Sequence, residues 1–296
     1  MISRWSCGAI VVEAIFLLIS VAVMLRGSQA GTIAIVTCST IVLFEICVAA
    51  AVYAILRLYA APRPQAGSAR TWRCALVETL ALFAVFGVFQ PFERWWMGAE
   101  NVGPLAPGRV PILLVHGYVC NRGIWWWLRR RLRARRHVVA TINLEPPLAG
   151  IDRLADRLSE RVEALLAETG AERVMLVTHS MGALASRAYL RQRGAARVAG
   201  LVTLAAPHHG TRIARLGLGR NAREMAPNSE WLRSLNAEPP PIPIANLWSV
   251  DDEIIDPPDA SRLSDAREIV LKGLGHMAVV FSPSVLACVE AELMRR

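Results

Sequence analysis

Apolar residues are concentrated in the first 92 of the 296 residues, and this uneven distribution constrains the fold more than any other feature. Three long apolar runs lie there, at about residues 8–25, 31–56 and 74–92. Because an α-helix rises about 1.5 Å per residue, each run can cross a hydrocarbon layer of about 30 Å. We therefore expect two or three transmembrane helices at the N-terminus.

The first run also has features of a cleaved signal peptide, because Arg4 precedes it and the segment Ser28-Gln29-Ala30 follows it. A second candidate span comes directly afterwards, which favours a retained anchor. Arginines gather in the loop after the second run, so the positive-inside rule places that loop and the N-terminus in the cytoplasm. These arginines are Arg57, Arg63, Arg70 and Arg73.

Three spans would carry the rest of the chain to the outer side, which predicts a protein of the bacterial inner membrane with its second domain on the periplasmic side. If the run at about 74–92 only lies in the membrane interface, that domain stays inside. Each run contains one acid, and acids within a membrane are costly. We expect Glu13, Glu45 and Glu78 to pair with arginines or to face one another.

A Pro/Gly-rich segment at 101–108 separates the anchor region, residues 1–100, from a second domain, residues 101–296. Apolar strands alternate there with helical patterns, which predicts an α/β fold with a mostly parallel sheet of about six strands flanked by helices. Residues 211–243 are expected to be irregular. The expected strands are Arg109–Val115, Val138–Leu144, Arg173–Thr178, Val198–Ala205, Ala245–Val250 and Glu268–Leu271.

Ser180 lies where the third expected strand runs into a helix, in the stretch Thr178-His179-Ser180-Met181-Gly182. A tight strand–turn–helix connection lifts a serine hydroxyl off the sheet edge, and the helix N-terminus favours negative charge beside it. The motif usually reads GxSxG, and here Thr178 replaces the first glycine. The pattern predicts a nucleophilic serine, and the alternative is an ordinary loop with a helix-capping serine.

A nucleophilic serine needs a base, and the base needs a group that orients it. His276 follows the last strand, between glycines that suit a histidine carried on a loop. Among the other histidines, His116 is expected to buttress a loop and His179 to point away from the serine. The chain order of serine, acid and histidine makes His276 the candidate base.

The acid is expected just after the strand Ala245–Val250, where Asp251, Asp252 and Asp256 are candidates. Asp252 is preferred because the apolar residues that follow it can dock its loop against the core. Asp251 remains the alternative.

A tetrahedral oxyanion is stabilised by two backbone N–H donors. The residue after the nucleophile, Met181, is expected to supply the first. The loop after the first strand is expected to supply the second, from Tyr118.

From about residue 109 to its end, the chain resembles the small bacterial triacylglycerol lipases and esterases of the α/β-hydrolase superfamily. The matching stretches are PILLVHG at 111–117, THSMG at 178–182, LAAPHHG at 204–210, and SVDDEI at 249–254 with Gly275-His276. The resemblance implies a serine ester hydrolase that acts through an acyl-enzyme on lipid or other acyl esters. It implies Ser180, Asp252 and His276 as the catalytic triad.

Neither a cofactor nor a metal site is predicted, because no histidine or cysteine cluster has ligand spacing. The net charge of +9 comes without any nucleic-acid-binding motif, so we expect ester substrates and membrane lipids as partners, and no nucleic acid. Three alternatives stay open. They are an acyltransferase or thioesterase with the same triad, a non-catalytic membrane scaffold, and a transporter subunit that uses the intramembrane acids.

Overall fold

The computed structural model describes residues 30–60, 68–100, 102, 105 and 109–295. The predicted span at about 8–25 lies outside these residues. Six parallel strands form one sheet in the order β2-β1-β3-β4-β5-β6, which confirms the predicted α/β architecture. The strands are β1 (Ile112–Val115), β2 (Val139–Ile142), β3 (Val174–His179), β4 (Val198–Leu204), β5 (Ile244–Ser249) and β6 (Arg267–Leu271).

Helices cover the sheet because its strands are apolar on both faces. The helices are α1 (Ala30–Tyr59), α2 (Ser68–Leu82, continued by a π-helix at Phe83–Phe89), α3 (Glu93–Met97), α4 (Trp126–Ala134), α5 (Ile151–Thr169), α6 (Met181–Arg193), α7 (Gly219–Glu224), α8 (Glu230–Leu235) and α9 (Pro283–Leu293). Alternate residues of a strand point to opposite faces. Accordingly, Ile112 and Leu114 of β1 belong to one buried apolar cluster, and Leu113 and Val115 belong to another.

Helix α5 shows how the sequence pattern produces this layering. Its buried residues Ile151, Leu154, Leu158 and Val162 recur at intervals of three and four, so they form one stripe that packs on the sheet. Gly170 ends the helix with a positive φ of 71°, a conformation that glycine adopts without strain.

The segment at 211–243 is more ordered than the sequence predicts. It contains a 3-10 turn at Arg212–Leu216 and the short helices α7 and α8. Ser229 caps α8, because its side chain accepts a hydrogen bond from the N–H of Leu232 at 3.1 Å. Helices of six residues are too short to produce a recognisable hydrophobic period, which is why the expectation of an irregular segment was wrong.

The second and third predicted spans are helical. Within the part of the chain that the structure describes, Ile35–Tyr59 and Arg70–Phe89 are long and apolar enough to cross a membrane. Core helices of soluble proteins and signal sequences can have the same length and composition.

Helix α2 packs along one side against the six-stranded sheet and its surrounding helices. Cys74, Glu78 and Leu82 on this side are buried, together with Val85 of the π-helix. The opposite side exposes large apolar groups to the surroundings. These are Trp72, Leu76, Leu80 and Phe86. The helix therefore has one face fitted to the α/β domain and a second face with no cover among the described residues.

Candidate active site

The connection from β3 to α6 forces Ser180 into an unusual backbone conformation. Its φ is 54° and its ψ is −127°, whereas a non-glycine residue rarely adopts a positive φ. The Ser180 N–H donates to the Leu204 carbonyl at 2.9 Å, which fixes the turn against β4. Strained residues of this kind cluster at functional sites, because the surrounding structure must hold them in place.

Two glycines make the close packing around Ser180 possible. A Cβ added to Gly182 would lie 2.5 Å from the backbone oxygen of His116, and one added to Gly117 would lie 2.8 Å from the Cβ of Ser180. The first strand, the loop after it and the start of α6 are therefore in direct contact at the serine. Thr178, which replaces the usual first glycine, is buried in β3 and donates its hydroxyl to the Val202 carbonyl at 3.2 Å.

Asp252 and His276 meet beside this turn. His276 Nδ1 and Asp252 Oδ2 are 2.9 Å apart, and the two residues are 2% and 1% exposed. The other carboxylate oxygen, Oδ1, accepts the backbone N–H groups of Ile254 at 2.9 Å and Ile255 at 2.8 Å. These bonds hold the carboxylate in one orientation, so Nδ1 carries the imidazole proton and Nε2 is left as the basic nitrogen.

The pKa of His276 reflects two opposing influences. Burial by itself lowers this pKa, but the charge and hydrogen bond of Asp252 raise it, and the net result lies above the ordinary value of 6.5. A higher pKa makes the imidazole a stronger base in a site that excludes water.

The two alternative acids lie elsewhere. Asp251 Oδ2 pairs with Arg70 Nη2 at 2.5 Å and accepts the N–H of Gly273 at 2.6 Å. Asp256 forms an ion pair with Arg212. Among the described residues, Asp252 is the one candidate acid that is hydrogen-bonded to the His276 side chain.

Two further histidines support the site in a neutral form. His179 Nε2 lies 3.0 Å from the His276 carbonyl oxygen, and because that oxygen can only accept, Nε2 carries the proton. Burial lowers the pKa of His179 well below 6.5. His116 accepts the Leu144 N–H at Nε2, 3.0 Å away, and contacts the Gly117 carbonyl through Nδ1 at 2.9 Å. Burial lowers its pKa to about 4.

The predicted oxyanion donors lie on the two segments that meet at the serine. Among the described residues, no hydrogen bond engages the backbone N–H of Tyr118 or of Met181. The Tyr118 hydroxyl has a role that the sequence did not indicate. It donates to the Leu218 carbonyl and accepts the Leu218 N–H, both at 2.8 Å, and so fastens the segment at 211–243 to this loop.

A family model for serine hydrolases matches residues 112–281, which is more than half of the chain. The protein belongs to the serine hydrolase family. The matched region contains the turn at Ser180 together with Asp252 and His276.

Solved structures of lipases share the fold of this serine hydrolase. Lipase BlEst2 of Bacillus licheniformis in its mature form matches with a TM-score of 0.58 and 16% identity, over 66% of this chain and 96% of that one. Lipase B of Aspergillus fumigatus matches with a TM-score of 0.62 and 14% identity, over 94% of this chain and 84% of that one. Phospholipase PlaB of Legionella pneumophila matches with a TM-score of 0.51 and 14% identity, over 62% of this chain and 59% of that one. At these identities the likeness establishes the α/β-hydrolase fold.

Two acids near His276 were not predicted as part of the serine hydrolase site. Glu78 of α2 accepts the backbone N–H groups of Met277 at 2.7 Å and Ala278 at 2.9 Å. Glu253 accepts the N–H of His276 at 3.3 Å through Oε2. Burial, followed by the neighbouring charge of Asp252, raises the pKa of Glu253. The sequence offered one sign of each acid: Glu78 lies inside an apolar run, and Glu253 follows two aspartates directly.

Proposed function

We propose that this serine hydrolase is a carboxylic-ester hydrolase, a lipase or esterase, in which Ser180 is the nucleophile, His276 the general base and Asp252 the orienting acid. The observation that carries the proposal is the buried 2.9 Å contact between His276 and Asp252, beside a serine at a strained strand-to-helix turn. Nucleophilic catalysis by serine requires this set of groups, since an unassisted hydroxyl is a weak nucleophile at neutral pH.

In the first half of the reaction, Ser180 Oγ attacks the ester carbonyl carbon while His276 Nε2 takes the hydroxyl proton. The carbonyl oxygen becomes an oxyanion, which accepts hydrogen bonds from the N–H groups of Met181 and Tyr118. When the intermediate collapses, the bond to the alcohol oxygen breaks and His276 returns the proton to that oxygen. The acyl group is left on Ser180.

In the second half, water attacks the acyl-enzyme with the same assistance. His276 takes a proton from water, the oxyanion forms again at the same two donors, and the bond to Ser180 Oγ breaks as its proton is restored. The products are an acid and an alcohol. Asp252 stabilises the imidazolium that appears in both halves and holds its tautomer.

We propose that residues 1–100 anchor the enzyme in the bacterial inner membrane and that residues 101–296 form the catalytic domain on the periplasmic side. Helix α1 supports anchoring by its length and its exposed apolar side chains, and the outward face of α2 exposes further apolar side chains. An enzyme held at a bilayer meets acyl esters of lipids at high local concentration, so lipid esters are the proposed substrate class.

The test uses the full chain in detergent micelles with p-nitrophenyl esters of increasing acyl length. We expect hydrolysis by the wild type and by Ser234→Ala, which removes an exposed serine hydroxyl on α8. Ser180→Ala should lose at least about 10³-fold in rate. A fluorophosphonate should label the wild type and leave Ser180→Ala unlabelled. A folded wild type that hydrolyses no ester and ignores the probe would refute the proposal.

The same assay separates a hydrolase from an acyltransferase or thioesterase. Added short-chain alcohols compete with water for the acyl-enzyme, and thioesters report on the leaving group. We expect water to be the main acceptor and oxygen esters the better substrates. Predominant transfer to the alcohol would assign a transferase with the same triad.

A further inference from the structure

One carboxylate of α2 reaches the loop that carries His276. Glu78 is fully buried, and its two oxygens each accept one backbone N–H, from Met277 and from Ala278. These N–H groups belong to the two residues that follow His276 directly in the chain. Glu78 therefore holds the backbone on the C-terminal side of the histidine, although it lies 198 residues earlier in the sequence.

Glu253 completes this arrangement from the other catalytic loop. Its Oε2 accepts the N–H of His276 at 3.3 Å, and its buried carboxyl group lies beside that of Glu78. Glu253 follows Asp252 directly, so the pair connects the loop of the acid to the loop of the base.

The histidine loop is shaped to admit the Glu78 side chain. A Cβ added to Gly275 would lie 2.5 Å from the carboxyl carbon of Glu78. A glycine is thus required where this carboxylate approaches the residue before His276.

The same helix makes a second contact with these loops. Arg70 lies eight residues before Glu78, about 12 Å along the helix axis. It pairs with Asp251, whose carboxylate also accepts the N–H of Gly273. Helix α2 therefore holds the acid loop through Arg70 and the histidine loop through Glu78.

We propose that Glu78 is a positioning residue for His276, through which helix α2 sets the geometry of the base against Ser180. The inference rests on the proposed ester-hydrolase function and deepens it. In this arrangement the apolar N-terminal region supplies part of the support of the catalytic centre, in addition to any role in anchoring.

The expected effect follows from what each substitution removes. Glu78→Gln keeps the size of the side chain but places an amide N–H₂ where one carboxylate oxygen accepts a backbone N–H. The histidine loop must then shift, and a displacement of about 1 Å in a catalytic group reduces the rate about 10²-fold. We expect kcat to fall about 10- to 100-fold while KM changes less than about threefold, since Glu78 does not contact the substrate.

The experiment uses the full chain in detergent micelles and counts intact sites by titration with a fluorophosphonate. A loss of folded protein lowers the number of titrated sites, whereas mispositioning lowers kcat per titrated site. Glu78→Asp retains a carboxyl group with two acceptor oxygens on a shorter arm, so we expect it to recover part of the lost kcat. Glu163→Gln, the same change on the exposed side of α5, should leave kcat per site unchanged.

Gly275→Ala tests the same contact from the histidine loop without altering α2. It should reproduce the fall in kcat per site. The proposal is overturned if Glu78→Gln and Gly275→Ala both keep kcat per site within about twofold of the wild type. It is also overturned if Glu78→Gln reduces only the number of titrated sites. A wild type that is inert to esters and to the probe would instead refute the proposed function.

Discussion

Asp252→Asn is the substitution whose outcome the structure specifies most closely. The Oδ1 atom of Asp252 accepts two backbone N–H groups, from Ile254 and Ile255. An asparagine at this position will orient its amide oxygen toward those two donors, because the alternative places an N–H₂ against two N–H groups. The N–H₂ then faces His276 Nδ1, which must give up its proton and become an acceptor. The imidazole proton moves to Nε2, and that nitrogen can no longer accept the proton of Ser180.

Two contributions set the size of the effect. The imidazolium and the Asp252 carboxylate are buried and in contact at 2.9 Å, with charge centres about 4 Å apart, which corresponds to about 4 kcal/mol at an effective dielectric constant of about 20. That energy is worth about 10³-fold in rate. The wrong tautomer adds to this loss, and the same change in serine triads generally lowers kcat about 10⁴-fold. We expect a fall of 10³- to 10⁴-fold here.

The assay is steady-state hydrolysis of a p-nitrophenyl ester, with kcat corrected by fluorophosphonate titration and folding checked by circular dichroism. Asp251→Asn is the matched comparison, since it removes the neighbouring carboxylate, which pairs with Arg70 and not with His276. We expect Asp251→Asn to lose far less than Asp252→Asn. A folded Asp252→Asn enzyme with activity within about tenfold of the wild type would contradict the reasoning.

Three further outcomes follow from the same site. In the wild type, kcat/KM should rise with pH and reach half its maximum above pH 6.5, because His276 must be neutral to act as a base and its pKa is raised. In Asp252→Asn this rise should move to lower pH, because burial then lowers the pKa of His276 without the opposing charge of Asp252. Gly182→Ala should destabilise the fold by about 3 kcal/mol or more, because the added Cβ would collide with the backbone oxygen of His116. The loss of stability can be measured by thermal unfolding. Tyr118→Phe should raise KM and leave kcat within about threefold, because it removes the hydrogen bonds to Leu218 but keeps the backbone N–H of residue 118 as an oxyanion donor. A loss of kcat without a change in KM would contradict this prediction.

The strands were predictable from sequence because each is a short apolar run next to glycine or a polar residue. The expected strand Arg173–Thr178 corresponds to β3 at Val174–His179, and Ala245–Val250 to β5 at Ile244–Ser249. The position of Ser180 could be predicted for the same reason, since the motif depends on a strand and a helix that both have strong local signals.

The sequence favoured Asp252 over Asp251 through the apolar residues that follow it, but it could not show where either carboxylate points. Asp251 and Asp252 lie in a loop, where no period relates a residue number to a direction, and the structure points them to different partners. The role of Glu78 was also hidden. The expectation that Glu78 pairs with an arginine or faces another acid of the apolar runs was wrong. Its partners lie about 200 residues later in the chain and are backbone groups, which carry no sequence signature. The catalytic roles of Ser180 and His276 stay predictions until the variants are measured.

The contact between α2 and the histidine loop also bears on how the protein loses activity when it is heated or solubilised. Proteins open in cooperative local units, and elements at the edge of a fold open at lower free energy than the central sheet. Within the part of the chain that the structure describes, one face of helix α2 has no cover, so its detachment is such a local event. Inactivation on heating would then precede the melting of the sheet and would reverse on cooling. A detergent that competes for α2 would act as an inhibitor without binding near Ser180.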